Sequence, residues 1–164
     1  MGIVTAAGGT GPEPVPVEAA FEEFVTSGGA DLRRALTARY GVEVGVEVTA
    51  DVFAYAWEQW TRVSAMANPT GYLFRVGQSA ARRYRRQPVV LPIAHAPGEP
   101  DFDPRLPHLL ERLPDRQRVA VVLVCIYDWT YPKSAQVLGV SESTVRTHVR
   151  RGLRTLRHEL GDAE

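Results

Sequence analysis

Residues 129–157, WTYPKSAQVLGVSESTVRTHVRRGLRTLR, carry the start and stop signals of two short helices joined by a tight turn. Pro132 suits the first turn of a helix, where its missing N–H is not needed, and Thr130 can cap that helix. Gly139 supplies the permissive backbone that ends the first helix, and Ser141 can cap the second. The segment therefore predicts two helices that fold back on each other.

The spacing of small and apolar residues identifies this helix pair more closely. Ala135, Gly139 and Val145 fall where a helix-turn-helix needs a small residue at the helix crossing, a turn glycine and a buried aliphatic side chain. The predicted buried stripe of the second helix consists of Val145, Val149, Leu153 and Leu156.

The rest of the second helix bears side chains that can bond base edges and phosphates in a major groove. These residues are Ser143, Thr144, Arg146, Thr147, Arg150, Arg151 and Arg154. An amphipathic hairpin with a solvated basic face is the alternative interpretation. The helix-turn-helix spacing of Ala135, Gly139 and Val145 favours DNA binding over this alternative.

The formal net charge is +0, which is unusual for a protein that binds nucleic acid. Arginines nevertheless concentrate in residues 75–86 and again in residues 143–158, and neither stretch contains an acidic residue. Two basic stripes on a neutral chain indicate two separate contacts with a polyanion and modest DNA affinity for the chain alone.

The N-terminal part predicts helices after a disordered leader, residues 1–16, which is rich in Gly, Pro and small residues. Residues 42–48, VEVGVEV, alternate like a strand, but no second alternating run could pair with them. We expect instead a helix capped by Thr49, extended backward over part of this run and forward through Trp57 and Trp60.

A further helix is expected over residues 71–87, after the break at Asn68-Pro69-Thr70-Gly71. Residues 88–105 hold five of the twelve prolines and predict a semi-rigid linker. The predicted fold is all-α, with two small helical domains, residues 17–87 and 106–161, joined by a Pro-rich linker. The C-terminal domain contains the helix-turn-helix.

Several classes of protein are disfavoured by the sequence. No apolar run approaches the ~18 residues of a membrane span, and the N-terminus lacks the pattern of a signal peptide, so we expect a cytoplasmic protein without a membrane partner. The four histidines have no metal-ligand spacing and no phosphate-binding loop is present, so we expect no enzyme, no metal and no cofactor. Cys125, in an apolar run, is expected to be a buried small hydrophobe.

The C-terminal part resembles region 4 of a bacterial RNA polymerase sigma factor, most specifically in its LERLPDRQR entry and its LGVSESTVRTHVRRGLRTLR close. The N-terminal stretch DVFAYAWEQWTRVSAMANPTGYLFRVGQSAARRYRR is similar to region 2 of the same family. The two regions around a linker, with nothing between, resemble the extracytoplasmic-function group of the sigma-70 family, over roughly residues 17–160.

This resemblance implies a sigma factor that binds core RNA polymerase and directs promoter recognition and transcription initiation. Region 4 would place residues 141–151 in the major groove of the −35 element, with Ser141, Ser143, Thr144, Arg146, Thr147, Arg150 and Arg151 as DNA-binding residues. Region 2 would bind the −10 element through Asn68, Tyr72, Arg75, Ser79, Arg82 and Arg83. The polymerase-binding residues would be Asp51, Phe53, Trp57 and Trp60. Besides core polymerase and promoter DNA, an anti-sigma factor is a partner compatible with the resemblance.

Four positions depart from the family pattern. Ser79 and Arg83 stand where an Asn and an Asp usually follow the GYL.R turn, which makes this surface more basic. Lys133 and Ser134 stand where a Glu-Ile pair is usual, so Thr130 lacks the partner of a capping box.

Two other functions remain open from the sequence. A helix-turn-helix transcriptional regulator could bind operators without core polymerase, although this leaves the NPTGYLFR stretch unexplained. The second alternative is a protein-interaction domain of helical hairpins, or a sigma-like decoy that binds a regulator without starting transcription.

Overall fold

The computed structural model describes residues 16–84, 89–91, 93 and 103–161, and within these ranges every regular element is a helix. The α-helices are α1 (Val17–Thr26), α2 (Gly28–Tyr40), α3 (Val42–Glu58), α4 (Trp60–Ser64), α5 (Pro69–Ala80), α6 (Leu106–Arg112), α7 (Asp115–Val121), α8 (Tyr131–Leu138) and α9 (Glu142–Gly161). The all-α prediction is confirmed. Residues 1–15 of the predicted leader and most of the predicted linker lie outside the described residues.

Helix α3 takes in the whole valine-rich run that alternates like a strand. Its first N–H, on Val42, donates to the carbonyl of Val90 at 2.9 Å, so the start of the linker satisfies an orphan donor of the helix. The predicted Thr49 cap is wrong, because Thr49 lies inside α3 and its hydroxyl donates to the carbonyl of Gly45 at 2.6 Å. The helix also ends at Glu58, which places Trp60 at the start of α4.

Helix α5 begins two residues earlier than predicted, because Asn68 acts as its N-cap and Pro69 occupies the first turn. The side-chain oxygen of Asn68 accepts a hydrogen bond from the N–H of Gly71 at 2.9 Å. The α-helix ends at Ala80 and tightens into a 3₁₀ turn over Ala81–Arg83, so it is shorter than the predicted segment 71–87. Residues 85–88 lie outside the described part.

Helices α8 and α9 form the predicted helix-turn-helix. The hydroxyl of Thr130 accepts from the N–H of Lys133, Gly139 is left-handed at φ +65°, and the hydroxyl of Ser141 accepts from the N–H of Thr144. The buried stripe of α9 consists of Val145, Val149, Gly152 and Leu156, whereas Leu153 is only half-buried. A π-helical turn, Val122–Ile126, precedes the pair and leaves Cys125 exposed rather than buried as predicted.

The N-terminal and C-terminal helices pack against each other. Helix α2 contacts α3 and α5 on one side and α7 and α8 on the other, and α5 also contacts α8. The buried apolar residues of both groups form one continuous cluster, with Leu36 among those from α2 and Val119 among those from α7. The division into a leader, two domains and a linker stays a prediction.

Membrane spanning is not supported by any helix in the described ranges, since none combines the required length with sufficient hydropathy.

The close crossing of α2 and α3 generates a test of the fold. A Cβ on Gly45 would lie 2.5 Å from the Cα of Thr37, so Gly45→Ala should lower the free energy of unfolding by about 1–3 kcal/mol through overpacking. The matched control is Gly161→Ala, because nothing lies within 4 Å of a Cβ there. Urea denaturation measures both, and equal stability of the two variants contradicts the crossing.

Candidate nucleic-acid interface

One face of helix α9 is a stripe of exposed arginines. Arg146, Arg150, Arg154 and Arg157 follow each other at spacings of four, four and three residues, which places them in one row along the helix. The apolar stripe on the opposite side fixes α9 against α7 and α8 and leaves this row in solvent. The stripe can therefore meet a phosphate backbone or a groove without rearrangement of the helix.

The N-terminal end of α9 carries a compact set of hydroxyl groups. The hydroxyl of Ser141 lies 2.9 Å from that of Ser143 and 2.8 Å from that of Thr144. The hydroxyl of Thr147 donates to the carbonyl of Ser143 at 2.9 Å. These bonds fix the rotamers of the predicted polar contacts and leave the Ser143 and Thr147 side chains on the arginine-bearing side.

The predicted base-contacting arginines differ in their surroundings. The Arg146 guanidinium lies 4.2 Å from the centroid of the Tyr131 ring and 3.9 Å from a carboxylate oxygen of Glu142, so its position is fixed by a cation–π contact and an ion pair. Among the residues that the structure describes, neither Arg150 nor Arg151 has an acidic partner. Tyr131 was not among the predicted site residues.

His148 lies on the inner side of the same helix. Its Nδ1 is buried and has no hydrogen-bond partner within the described part of the chain. Burial lowers the pKa of His148, and the nearby guanidinium groups of Arg116, Arg151 and Arg39 lower it further. A neutral imidazole is therefore favoured at this junction of α9 with the rest of the fold.

A second basic surface follows the outer side of α5 and the 3₁₀ turn after it. Arg75, Ser79, Arg82 and Arg83 are all exposed there, and Tyr72 is half-buried one turn before Arg75. The structure thus brings together the five predicted −10 residues from Tyr72 to Arg83 on one side of one element.

Tyr72 belongs to a cluster that the sequence did not reveal. Its hydroxyl lies 2.7 Å from that of Tyr55, and Arg62 donates to the Tyr55 hydroxyl at 2.6 Å and to that of Tyr72 at 3.3 Å. The hydrogen bond with Tyr55 and the guanidinium of Arg62 lower the pKa of Tyr72. Tyr55 and Arg62 are seven residues apart, which is the spacing of two helical turns. The sequence did not reveal their contact, because the helix breaks between them at Gln59.

Asn68, the remaining predicted −10 residue, is hydrogen-bonded within the chain at the start of α5. Its oxygen caps α5, and its amide nitrogen donates to the carbonyl of Gln136 at 2.8 Å. Gln136 lies in α8, so the side chain of Asn68 connects the two helical groups.

The four predicted polymerase-binding residues do not form one surface. Trp60 is 6% exposed and packs against Phe21 and Phe24, so it is a core residue, whereas Trp57 is 48% exposed. Phe53 is half-buried and packs near Gly29 of α2. Asp51 lies on another side of α3, where it accepts a hydrogen bond from the Tyr84 hydroxyl at 2.8 Å.

Comparison with known protein families finds a match for the C-terminal helices. Residues 104–156 match the family model described as Sigma-70, region 4, which covers the helix-turn-helix. No curated protein sequence matches the chain. The resemblance to region 4 predicted from the sequence is confirmed.

Two solved structures share the fold. The sigma factor RpoE of Bartonella quintana, in complex with the anti-sigma factor NepR, is 17% identical, with a TM-score of 0.58 over 88% of this chain and 99% of that one. CnrH, in complex with the cytosolic domain of CnrY, is 24% identical, with a TM-score of 0.55 over 90% of this chain and 91% of that one. Both alignments include the N-terminal helices, so the likeness in fold extends beyond region 4.

The environment of His148 generates a pH prediction. Because its pKa in the folded chain lies below the ordinary value of 6.5, the unfolded chain takes up the proton first as the pH falls. The contribution of neutral His148 to the free energy of unfolding is complete above about pH 6.5. It is lost as the pH falls through the pKa of His148 in the folded chain.

His148→Gln should therefore make the free energy of unfolding less dependent on pH between about 7 and 5. Urea denaturation of both proteins across this range measures the difference. A His148 titration midpoint at or above 6.5 in an NMR experiment contradicts the assignment.

Proposed function

We propose that this chain is a sigma factor of the sigma-70 family, which binds core RNA polymerase and directs it to promoters to initiate transcription. The observation that carries the proposal is the region 4 match over a helix-turn-helix whose second helix exposes a continuous arginine stripe. The likeness in fold to the sigma factor RpoE over 88% of this chain further supports a factor of the extracytoplasmic-function group. Its proposed place of action is the cytoplasm.

Helix α9 is the proposed reader of the −35 element. Its N-terminal half would enter the major groove, where Arg and Ser/Thr side chains bond base edges and phosphates. Arg150 is the strongest candidate, because it is exposed and has no acidic partner among the described residues. Arg146 is held by Tyr131 before DNA arrives, so less side-chain entropy is lost on binding.

The outer side of α5 is the proposed contact with the −10 element. Exposed arginines can follow a single strand, and an aromatic ring such as that of Tyr72 can stack on an unpaired base. Arg62 lies 5.8 Å from the centroid of this ring and adds a positive charge beside it. Ser79 and Arg83 replace an amide and an acid of the family pattern, so we propose that this surface depends more on phosphate contacts than on base recognition.

The exposed Trp57 is the proposed anchor for core polymerase. Its ring packs edge-to-face against Phe21 at 5.2 Å, which holds an aromatic surface in solvent where a partner could bury it. Phe53 supports this helix, and Trp60 contributes through the core. Asp51 would act from a different side of α3.

An anti-sigma factor is a further proposed partner. The two similar structures are of complexes, RpoE with the anti-sigma factor NepR and CnrH with the cytosolic domain of CnrY. By analogy, we propose that a protein of this kind binds this chain and withholds it from polymerase.

In vitro transcription on genomic DNA, with core polymerase and mapped start sites, tests the proposed function. We expect binding to core polymerase at moderate salt and transcripts that depend on the chain. The chain alone should bind promoter DNA poorly, because its formal net charge of +0 provides little long-range attraction.

The alternatives give different results in the same experiment. A helix-turn-helix regulator would bind specific DNA tightly without core polymerase and would fail to bind the core enzyme. A sigma-like decoy would bind a protein partner but give no transcripts, so either pattern excludes the proposed function.

Arginine substitutions on α9 test the groove assignment. Arg150→Ala or Arg146→Ala should weaken −35-dependent transcription. Loss of a base contact should relax sequence specificity by about 1–3 kcal/mol at one base position. Loss of a phosphate contact should instead reduce, by about 1, the slope of the logarithm of the DNA-binding constant against the logarithm of the salt concentration.

The control is Arg33→Ala, which removes the same charge from the exposed side of α2. Promoter selection and activity that stay unchanged in both α9 variants contradict the assignment of α9 to the −35 groove.

A further inference from the structure

We propose that Tyr55 and Arg62 are positioning residues, which hold the ring and the hydroxyl of Tyr72 in place for an unpaired nucleotide of the −10 strand. We call the three side chains the tyrosine cluster. This proposal deepens the proposed function and rests on it, because that function brings the −10 strand to the outer side of α5. The existence of the cluster in the free chain does not depend on that function.

The tyrosine cluster joins three helices at one point of the surface. Tyr55 lies in α3, Arg62 in α4 and Tyr72 in α5. The residues that follow them in the sequence are all 0% exposed, namely Ala56, Val63 and Leu73. Core packing therefore anchors the backbone beside each member of the cluster, and only the three side chains have conformational freedom left to lose.

Contacts within the cluster restrict the Tyr72 side chain. Its hydroxyl lies 2.7 Å from that of Tyr55, and one terminal nitrogen of Arg62 donates to Tyr55 at 2.6 Å and to Tyr72 at 3.3 Å. The centroids of the two rings lie 6.5 Å apart, and the Arg62 guanidinium lies 5.8 Å from the centroid of the Tyr72 ring. A ring that is already held in this way loses less conformational entropy when a base stacks on it.

The hydrogen-bond count leaves one phenolic proton of the tyrosine pair for a ligand. Each phenol has one O–H donor and an oxygen that can also accept. The bond between Tyr55 and Tyr72 uses one of the two protons, whichever oxygen donates, and both oxygens accept from Arg62. The other proton has no acceptor among the residues that the structure describes. An acceptor oxygen or nitrogen of a nucleotide stacked on Tyr72 would take this proton.

The positive charge of Arg62 is also available to a nucleotide. Its side chain is exposed, and within the described ranges it forms no ion pair with an acidic residue. Arg75 is exposed three residues after Tyr72 and brings a second positive charge to the same side of α5. Positive charge beside an aromatic ring is the combination that binds single-stranded nucleic acid.

Stability alone explains this cluster poorly. Arg62 is exposed and both tyrosines are only half-buried, so their hydrogen bonds compete with water and add little to the free energy of unfolding. The three helices are already joined through the buried apolar cluster. The tyrosine cluster therefore orders surface groups whose order the core does not require.

Titration of Tyr72 tests whether the cluster exists in the free chain. The hydrogen bond with Tyr55 and the guanidinium of Arg62 lower the pKa of Tyr72. Tyr55→Phe and Arg62→Gln should each raise this pKa, measured by NMR of ring-labelled tyrosine. The control is Arg33→Gln, which removes the same charge from the exposed side of α2 and should leave the pKa unchanged. An unchanged pKa in both cluster variants, with circular dichroism showing them folded, overturns the cluster.

Promoter opening with core polymerase tests the positioning role. On a promoter found by mapping start sites, permanganate reactivity of unpaired thymines measures the opening rate. Tyr55→Phe and Arg62→Gln should each lower the maximal opening rate about 3–10-fold, the effect of one lost hydrogen bond. The chain concentration that gives half of the maximal rate should not change, because the lost interaction forms only with the unpaired strand. Arg33→Gln should change neither quantity.

A Tyr72→Leu background separates positioning from a direct contact with DNA. Because Tyr55 and Arg62 act through Tyr72, adding Tyr55→Phe or Arg62→Gln to Tyr72→Leu should lower the opening rate no further. A further loss as large as in the wild-type background overturns the positioning role.

Failure of the positioning role and failure of the proposed function give different results. Wild-type opening rates in both single variants overturn the positioning role and leave the proposed function standing. A wild-type chain that gives no transcripts with core polymerase rejects the proposed function and the positioning role together, while the titration still decides whether the cluster exists.

Discussion

Helices from the N-terminal and the C-terminal parts of the sequence both pack against helix α2, and the arrangement of the fold depends on this packing. Its buried side chains, Leu32 and Leu36 among them, join a core to which α3 and α5 contribute on one side and α7 on the other. An apolar helix face must be covered, and here both helical groups cover it. The position of the helix-turn-helix relative to the α5 surface is therefore set by the packing of α2.

Local signals explain why the helix-turn-helix could be predicted from the sequence. Thr130, Gly139 and Ser141 act on backbone groups within four residues, so their effect does not depend on distant packing. The valine-rich run that starts α3 shows the opposite case. Its strand-like alternation gives way because the close crossing at Gly45 and the burial of Val48 stabilise a helix there.

The contacts between the helical groups carry no sequence signal. Asp31 and Lys133 are ordinary charged residues on two amphipathic helices, and nothing in their neighbourhoods predicts that they meet. The Tyr55–Arg62–Tyr72 cluster was missed for a similar reason, since it requires the break between α3 and α4 to be known. The sequence indicated the residue types of the candidate nucleic-acid interface. The contacts of Tyr131 and Arg62 with these residues could be found only from the fold.

In the proposed function, two basic surfaces of one chain contact separate promoter elements only in the presence of polymerase. Photocrosslinking amino acids at Arg154 on α9 and at Gln78 on α5, mapped on promoter DNA at base resolution, test it most directly. We expect crosslinks near −35 from the first position and near −10 from the second, both dependent on core polymerase. Crosslinks from both positions to the same short DNA segment, or equal crosslinking without polymerase, would contradict it.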